Sequence, residues 1–169
     1  MITKLTSKKT ICNSYLIDED GFVLIIDPGQ DGVVEAEIDS KGWKPELILL
    51  THEHFDHIED LEEVRSKYGI PVVACEICSE RLEDPRTNLS VIADILSYYK
   101  TGIIKEGRSP KFSCRRAEIT YGDEYEMEWR GHTFPFVRTP GHSPGSVLIT
   151  MDGQYIFTGT TCSSAMRRR

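Results

Sequence analysis

The chain has 169 residues, a formal net charge of −7, 39% hydrophobic residues and 28% charged residues. That length suits one folded domain, and the composition is that of a globular protein rather than of a disordered or membrane-spanning one. The negative charge argues against a nucleic-acid partner, because binding phosphate groups requires a positive field. We therefore expect a small-molecule substrate, no nucleic acid and no membrane partner. Residues 1–10 are polar and carry no targeting signal, so a cytoplasmic location is expected.

The predicted elements alternate between strands and helices, which is typical of a layered α/β protein. Residues 11–17 and 22–26 are rich in apolar residues and flank an acidic turn that ends in glycine, so they predict a β-hairpin. A short helix is predicted over residues 33–40, ending at Gly42, and an apolar buried strand over residues 47–50. The chain then continues with a helix (58–68), a buried strand (71–74), a long insertion and three or four more strands.

A cluster of imidazoles and carboxylates directly follows the apolar strand at residues 47–50. His52, His54, Asp56 and His57 lie within six residues, in the loop that leaves the C-terminal end of that strand. Neutral imidazole and carboxylate suit zinc and the other late divalent ions, and this many ligands in one loop call for a neutralising cation. The alternative is a run of solvated polar residues, but a His-x-His-x-Asp-His string has few other physical uses. The pattern therefore predicts a metal site.

A further candidate ligand, His142, lies in a glycine-rich and proline-containing turn between two apolar segments. Gly141, Pro144 and Gly145 favour a tight turn that directs the imidazole toward another loop. Standing alone, this histidine would be equally well explained by a structural role in the turn. Together with the cluster at residues 52–57, it predicts a third imidazole for a shared ion.

These two motifs, together with Ile-Ile-Asp-Pro-Gly at residues 25–29 and Tyr-Ile-Phe-Thr-Gly at 155–159, resemble the metallo-β-lactamase-fold hydrolase superfamily. Within it, the chain is most similar to the glyoxalase II-like branch. The resemblance implies a single domain over residues 1–169, with an αββα sandwich that is incomplete at its C-terminal end. It also implies that His52, His54 and His142 hold a first metal ion, and that Asp56 and His57 help to hold a second.

The chain departs from the family pattern at Thr160, where the resemblance implies an aspartate that bridges two metal ions. Threonine is a poorer ligand for a divalent cation than a carboxylate is. No histidine follows His142 in the sequence, although the resemblance implies one. We therefore expect one well-held ion, zinc by ligand type with iron or manganese as alternatives, and an incomplete second site.

A single-base frameshift after Gly159 would account for this departure. Every threonine codon begins with AC, so one guanine restored before the codon of Thr160 would encode aspartate at that position. The alternative is a natural short paralogue with a divergent end. The nucleotide sequence of the gene distinguishes the two: the frameshift hypothesis predicts the aspartate in the shifted frame, and an immediate stop codon in that frame would contradict it.

The resemblance implies a hydrolase that uses a metal-bound hydroxide, acting on a thioester or a related small ester. In such a site the ion lowers the pKa of its water to about 7. Asp56 is then the catalytic carboxylate that orients the water or accepts a proton. Two alternatives stay open: a catalytically impaired fragment or pseudoenzyme that lacks the second metal site, and a nucleic-acid processing member of the superfamily, which the acidic composition disfavours.

Residues 76–116 form an insertion with two helical stretches, at 79–83 and 89–99. Since insertions in this superfamily cover the metal cleft, the resemblance implies a lid that carries Tyr98, Tyr99 and Lys100. The alternative is a peripheral helix whose aromatic residues pack in the core.

The remaining candidates have simpler interpretations. His132 opens a predicted strand without neighbouring ligands, so it is expected to be an exposed edge residue. Asp27 is implied to support the loop near the metals without binding them. Five cysteines and no secretion signal predict reduced thiols, and Cys75 and Cys78 are expected at an ordinary junction between a strand and a helix.

Overall fold

The structure is a computed structural model that describes residues 1–8, 10, 12–29, 32–102 and 109–160, without the side chain of Lys100. Its strands are β1 (Ile2–Thr6), β2 (Asn13–Glu19), β3 (Phe22–Ile26), β4 (Lys44–Leu49), β5 (Val72–Cys75), β6 (Ile119–Tyr121), β7 (Glu124–Trp129), β8 (His132–Arg138), β9 (Val147–Met151) and β10 (Tyr155–Phe157). Its helices are α1 (Val33–Lys41), α2 (Phe55–Ile58), α3 (Leu61–Tyr68), α4 (Glu76–Arg81) and α5 (Ala93–Thr101), and a short 3₁₀ helix, Ser90–Ile92, precedes α5.

These strands form two sheets. The larger sheet has six strands in the order β1-β2-β3-β4-β5-β6, in which β1 to β3 pair antiparallel and β3 to β6 pair parallel. The smaller sheet has four antiparallel strands in the order β10-β9-β8-β7. The predicted hairpin of β2 and β3 is confirmed. The predicted helix end at Gly42 is also confirmed, and the φ of this residue, 64°, is one that glycine adopts without steric cost.

One hydrophobic core joins the two sheets and the helices. β3 and β5 are buried along nearly their whole length, which is typical of strands covered on both faces. Along β9, buried residues alternate with partly exposed ones, so only one face of the smaller sheet points inward. The core combines residues of the larger sheet, of α1 and α3, and of the smaller sheet, including Leu16, Ile26, Ile48, Val34, Ile38, Leu61, Phe134 and Phe136. This arrangement confirms the predicted layered α/β sandwich.

The parallel pairing of β3 with β4 brings the ends of these strands to one edge of the larger sheet. Ile26 is in register with Leu49, and the backbone N–H of Asp27 donates to the carbonyl of Leu49 at 3.0 Å. The backbone N–H of Leu50 donates to the carbonyl of Val73 at 3.1 Å, which extends this pairing toward β5. Asp27 and the histidine loop that begins at Thr51 therefore leave the sheet side by side.

Three elements differ from the sequence prediction. β1 was not predicted, but its partly buried Ile2 pairs antiparallel with Ile17 of β2 at the edge of the larger sheet. The helix predicted over residues 58–68 begins only at Leu61, as α3, because Ile58 ends the separate helix α2. Asp60 precedes α3, and its carboxylate accepts a hydrogen bond from the backbone N–H of Gly32 at 2.8 Å. In the described residues five strands follow the insertion, because the short β6 joins the parallel part of the larger sheet.

The cysteines lie in ordinary buried positions. Cys12, Cys75, Cys78 and Cys114 form no disulfide, as predicted for reduced thiols, whereas Cys162 lies outside the described residues. Cys75 ends β5 and Cys78 lies in α4, which confirms the predicted junction. Burial raises the pKa of both thiols, so neither is activated as a nucleophile. Every helix among the described residues is too short or too polar to span a lipid bilayer.

The prediction that His132 is an exposed edge residue is wrong. β8 lies between β7 and β9, and the side chain of His132 is only 25% exposed. Its Nδ1 lies 2.7 Å from Asp152 Oδ2, and its Nε2 lies 3.3 Å from Glu19 Oε2, so the imidazole connects the two sheets. The hydrogen bond to Asp152, followed by that to Glu19, raises the pKa of His132 above 6.5.

This contact predicts a pH-dependent contribution to stability. Because the folded-state pKa of His132 is raised, its contribution is fully present below the unfolded pKa of about 6.5 and is lost as the pH rises through the folded value. We expect His132→Gln to lower the free energy of unfolding more at about pH 5.5 than at about pH 8.5, by a small amount, since solvent screens the pair. Urea unfolding at both pH values measures this, and an equal loss at both would contradict it.

Candidate metal centre

The loop that carries the histidines is anchored to the sheet by Asp27. This carboxylate is buried, and its Oδ1 accepts a hydrogen bond from the backbone N–H of Thr51 at 2.8 Å. Its Oδ2 accepts from Thr51 Oγ1 at 2.5 Å and lies 2.8 Å from Nδ1 of His57. One side chain thus holds both the start of the loop and the helical turn in α2 that follows it. Asp27 supports the loop, as the resemblance implied.

Three imidazoles converge from two distant segments. His52 and His54 come from the loop after β4, and His142 comes from the loop between β8 and β9. One ring nitrogen of each lies within 4.8 Å of the other two, and His54 Nδ1 lies 2.9 Å from His142 Nε2. His52 and His54 are buried, whereas His142 is exposed. The structure therefore brings together the three residues that the sequence predicted as ligands of the first ion.

This donor set fits a divalent cation. Burial, followed by the proximity of His142, lowers the pKa of His54 to about 4, so its imidazole is neutral at neutral pH. A neutral imidazole is the form that binds a metal, and zinc holds imidazole nitrogens at about 2.0–2.1 Å. In a tetrahedral site such nitrogens lie about 3.3 Å apart. The observed spacing, from 2.9 Å to within 4.8 Å, brackets that value.

A buried carboxylate, Glu53, connects the two loops that carry these imidazoles. Its side chain is fully buried, and Oε1 accepts a hydrogen bond from Arg81 Nε at 2.5 Å. Oε2 accepts from Ser143 Oγ at 2.9 Å, directly next to His142. A Cβ on Gly145 would lie 2.5 Å from the same oxygen and 2.7 Å from Cα of Cys78, so only glycine fits there. Glu53 was not predicted as a site residue, although its position between two candidate ligands is a signal that could have singled it out.

A second group of potential ligands lies beside the first. Ligand atoms of Asp27, His52 and His57 lie within 4.8 Å of one another, and all three residues are buried. The resemblance implied Asp56 and His57 for a second ion, but within the described part of the chain Asp56 belongs to neither group. Thr160, in the place of the implied bridging aspartate, puts its Oγ1 3.3 Å from His57 Nε2. A hydroxyl therefore faces His57 where a carboxylate was implied.

A cavity of about 210 Å³ borders the first group of imidazoles. His54, Asp56 and His142 line one side of it. Phe55, Leu89, Leu96 and Tyr99 line the rest, and the last three come from the insertion. Tyr98 and Tyr99 are 47% and 80% exposed, so they do not pack in the core. The insertion thus contributes an apolar wall to the space in front of the imidazoles.

Comparisons with known proteins agree with this site. The sequence model described as "Metallo-beta-lactamase superfamily" matches residues 8–161. The chain is 33% identical over 155 residues to the probable metallo-hydrolase YqgX of Bacillus subtilis (strain 168), covering 87% of this chain and 67% of that protein. It is 27% identical over 149 residues to a hydroxyacylglutathione hydrolase of Klebsiella pneumoniae, covering 88% of this chain and 46% of that protein. Among solved structures, the BLEG-1 B3 metallo-beta-lactamase matches with a TM-score of 0.79 and 29% identity, over 97% of this chain and 74% of that one.

The chain spans about two thirds of the length of the Bacillus protein and about half of that of the hydroxyacylglutathione hydrolases it matches. These likenesses establish the family and the fold. They do not show that this chain acts on the substrates of its longer relatives.

The contacts of Glu53 predict that this side chain positions a metal ligand. In Glu53→Ala, Ser143 and Arg81 lose their shared partner, so the loop of His142 loses its side-chain link to the loop of His52 and His54. We expect zinc affinity to fall about 10-fold to 100-fold, the usual cost of removing a group that orients a ligand. Competition with a chelator of known affinity measures it.

Glu128→Ala, on an exposed position of β7, is the control and is expected to keep the affinity of the unchanged protein. Circular dichroism verifies that both variants are folded. A folded Glu53→Ala protein with unchanged zinc affinity would show that the link between the two loops is not needed.

Proposed function

Because the chain belongs to the metallo-β-lactamase superfamily, we propose that it is a metal-dependent hydrolase of a thioester or a related small ester. The observation that carries this proposal is the convergence of His52, His54 and His142 beside an apolar cavity. Zinc is the proposed ion by ligand type, since three neutral imidazoles are a ligand set that leaves one coordination position open.

The residues of the site have separate roles in the proposed reaction. His52, His54 and His142 would hold the ion, and a divalent cation bound there supplies a Lewis acid for the ester carbonyl and lowers the pKa of a bound water. Asp56 is buried at the edge of the cavity, where a carboxylate can orient an attacking water and accept its proton. The apolar lining of the cavity lowers the local dielectric, which strengthens the electrostatic interactions of these groups with a substrate.

Asp27 acts through His57 rather than on the substrate. As the partner of Nδ1, its carboxylate favours the tautomer in which His57 carries the proton on that nitrogen. Nε2 of His57 then presents a lone pair toward Thr160 Oγ1, a hydroxyl that can donate a hydrogen bond to it.

Thr160 favours a second candidate, a catalytically impaired member of the family. With a hydroxyl facing His57 in place of the implied bridging carboxylate, a second ion would lose its strongest ligand. In this case the protein would bind one ion at His52, His54 and His142 and turn over substrate slowly or not at all.

We also propose a small-molecule substrate in the cytoplasm, without a nucleic-acid or membrane partner. The net charge of −7 supports the absence of a nucleic-acid partner, because it would repel a polyanion. RNA binding that weakens steeply with added salt would contradict it.

The hydrolase proposal predicts different outcomes for two histidines. His142→Ala removes one of the three imidazoles, so we expect it to lose bound zinc and at least about 100-fold of thioester turnover, since even groups that only support a ligand contribute 10-fold to 100-fold. His132→Ala removes a histidine outside the site and is expected to retain about one zinc per chain and unchanged turnover. Elemental analysis and thiol release measure the two quantities.

Zinc content and thioester turnover together distinguish the hydrolase from the impaired protein. Zinc together with turnover supports the hydrolase. Zinc without turnover of any acyl thioester supports the impaired protein, and the absence of any retained divalent metal ion from the unchanged protein would contradict the hydrolase.

A further inference from the structure

The residues that line the cavity beside the imidazoles determine which chemical group it can bind. His54 and His142 line the cavity where the reacting bond would lie, and Phe55, Leu89, Leu96 and Tyr99 supply its apolar lining. We propose that this cavity is an acyl pocket, which binds an uncharged aliphatic acyl group of the substrate. This inference rests on the proposed hydrolase function and specifies the substrate class for it.

The size of the cavity indicates which part of the substrate it accepts. Pockets that enclose a whole drug-sized ligand measure about 300–1,000 Å³. This cavity measures about 210 Å³ and opens directly on the imidazole cluster, so it takes one small part of a substrate. The acyl group is that part, because a thiol carrier with its own polar groups is larger and gains nothing from an apolar wall.

The charges around the cavity restrict the acyl group further. No lysine or arginine is among the described residues that line it, and Asp56 lies at its edge. A carboxylate at the far end of the acyl group, away from the proposed ion, would find no cationic side chain among these residues, so burying it against the apolar wall would leave its charge unpaired. Each methylene of an uncharged acyl chain that is buried against Phe55 and the leucines, in contrast, strengthens binding by about 0.8 kcal/mol, which is about fourfold in affinity.

The wall is held in place relative to the imidazoles. The backbone N–H of Phe55, the residue after His54, donates to the carbonyl of Asn88 at 2.8 Å, which attaches the insertion to the histidine loop. The fully buried side chain of Asn88 donates to the carbonyl of Phe112 at 2.9 Å, at the other end of the insertion. Leu89 directly follows this anchor, and Leu96 and Tyr99 lie three residues apart on α5, a spacing that places them on one side of the helix. The pocket therefore exists before the substrate binds.

The experiment measures the hydrolysis of a series of acyl thioesters that share one thiol, N-acetylcysteamine, and carry acetyl, butanoyl, hexanoyl or succinyl groups. For the zinc-loaded protein we expect kcat/KM to rise about threefold to fourfold per methylene from acetyl to hexanoyl. Succinyl, similar in length to butanoyl but charged, is expected to react at least about 10-fold more slowly than butanoyl.

Two matched variants on α5 test whether the dependence of kcat/KM on acyl chain length arises in the pocket. Leu96→Asp places a charge in the pocket and is expected to abolish the rise with chain length. Ile95→Asp makes the same change at the neighbouring position, which is 57% exposed and outside the pocket, and is expected to keep the rise. If the unchanged protein hydrolyses the series without a rise, or if the rise survives in Leu96→Asp, the acyl pocket is overturned.

A binding measurement keeps the inference testable if no thioester is hydrolysed. The S-ethyl, S-butyl and S-hexyl thioethers of N-acetylcysteamine lack the scissile carbonyl, so their affinity, measured by NMR titration, reports on the pocket alone. Tighter binding with chain length that is lost in Leu96→Asp supports the pocket even where the hydrolase proposal fails. Affinity that does not depend on chain length would reject the pocket, whatever the turnover.

Discussion

Two buried carboxylates determine where the imidazoles of this protein lie. Asp27, at the end of β3, holds the backbone and hydroxyl of Thr51 and the ring of His57. Glu53 joins Arg81 to Ser143, next to His142. Leaving a buried polar group without its hydrogen-bond partner costs about 1–3 kcal/mol, and more where the group is charged. The loops that carry the ligands are therefore fixed to the sheet and to each other before any ion binds.

Because these contacts fix the loops, irregular segments of the chain can hold the imidazoles in a defined arrangement. Parallel pairing of β3 and β4 places Asp27 and Thr51 at the same edge of the sheet, and the backbone N–H of Val147 donates to the carbonyl of Thr51 at 2.8 Å. β9 thus begins against the histidine loop, which brings the turn containing His142 into reach of His54. The insertion is attached at the same point through Phe55 and Asn88, so the apolar wall and the imidazoles share one support.

Much of the fold and the three converging imidazoles could be predicted because their signals are local. Continuous apolar runs mark β3 to β5, and His52, His54 and His142 stand in short motifs of distinctive composition. The features that were missed depend on contacts between distant residues. The role of Glu53 requires Ser143, which is 90 positions away, and the position of His132 requires Glu19, which is 113 positions away. A short strand such as β6 similarly gains its stability from β5 rather than from its own three residues.

A crystal structure of the zinc-loaded protein, with anomalous scattering recorded at the zinc edge, tests the central claim most directly. The account predicts one strong peak bound by a ring nitrogen from each of His52, His54 and His142, at about 2.0–2.1 Å. A peak at the buried cysteines, or an ion that leaves the ring of His142 out of bonding distance, would contradict it.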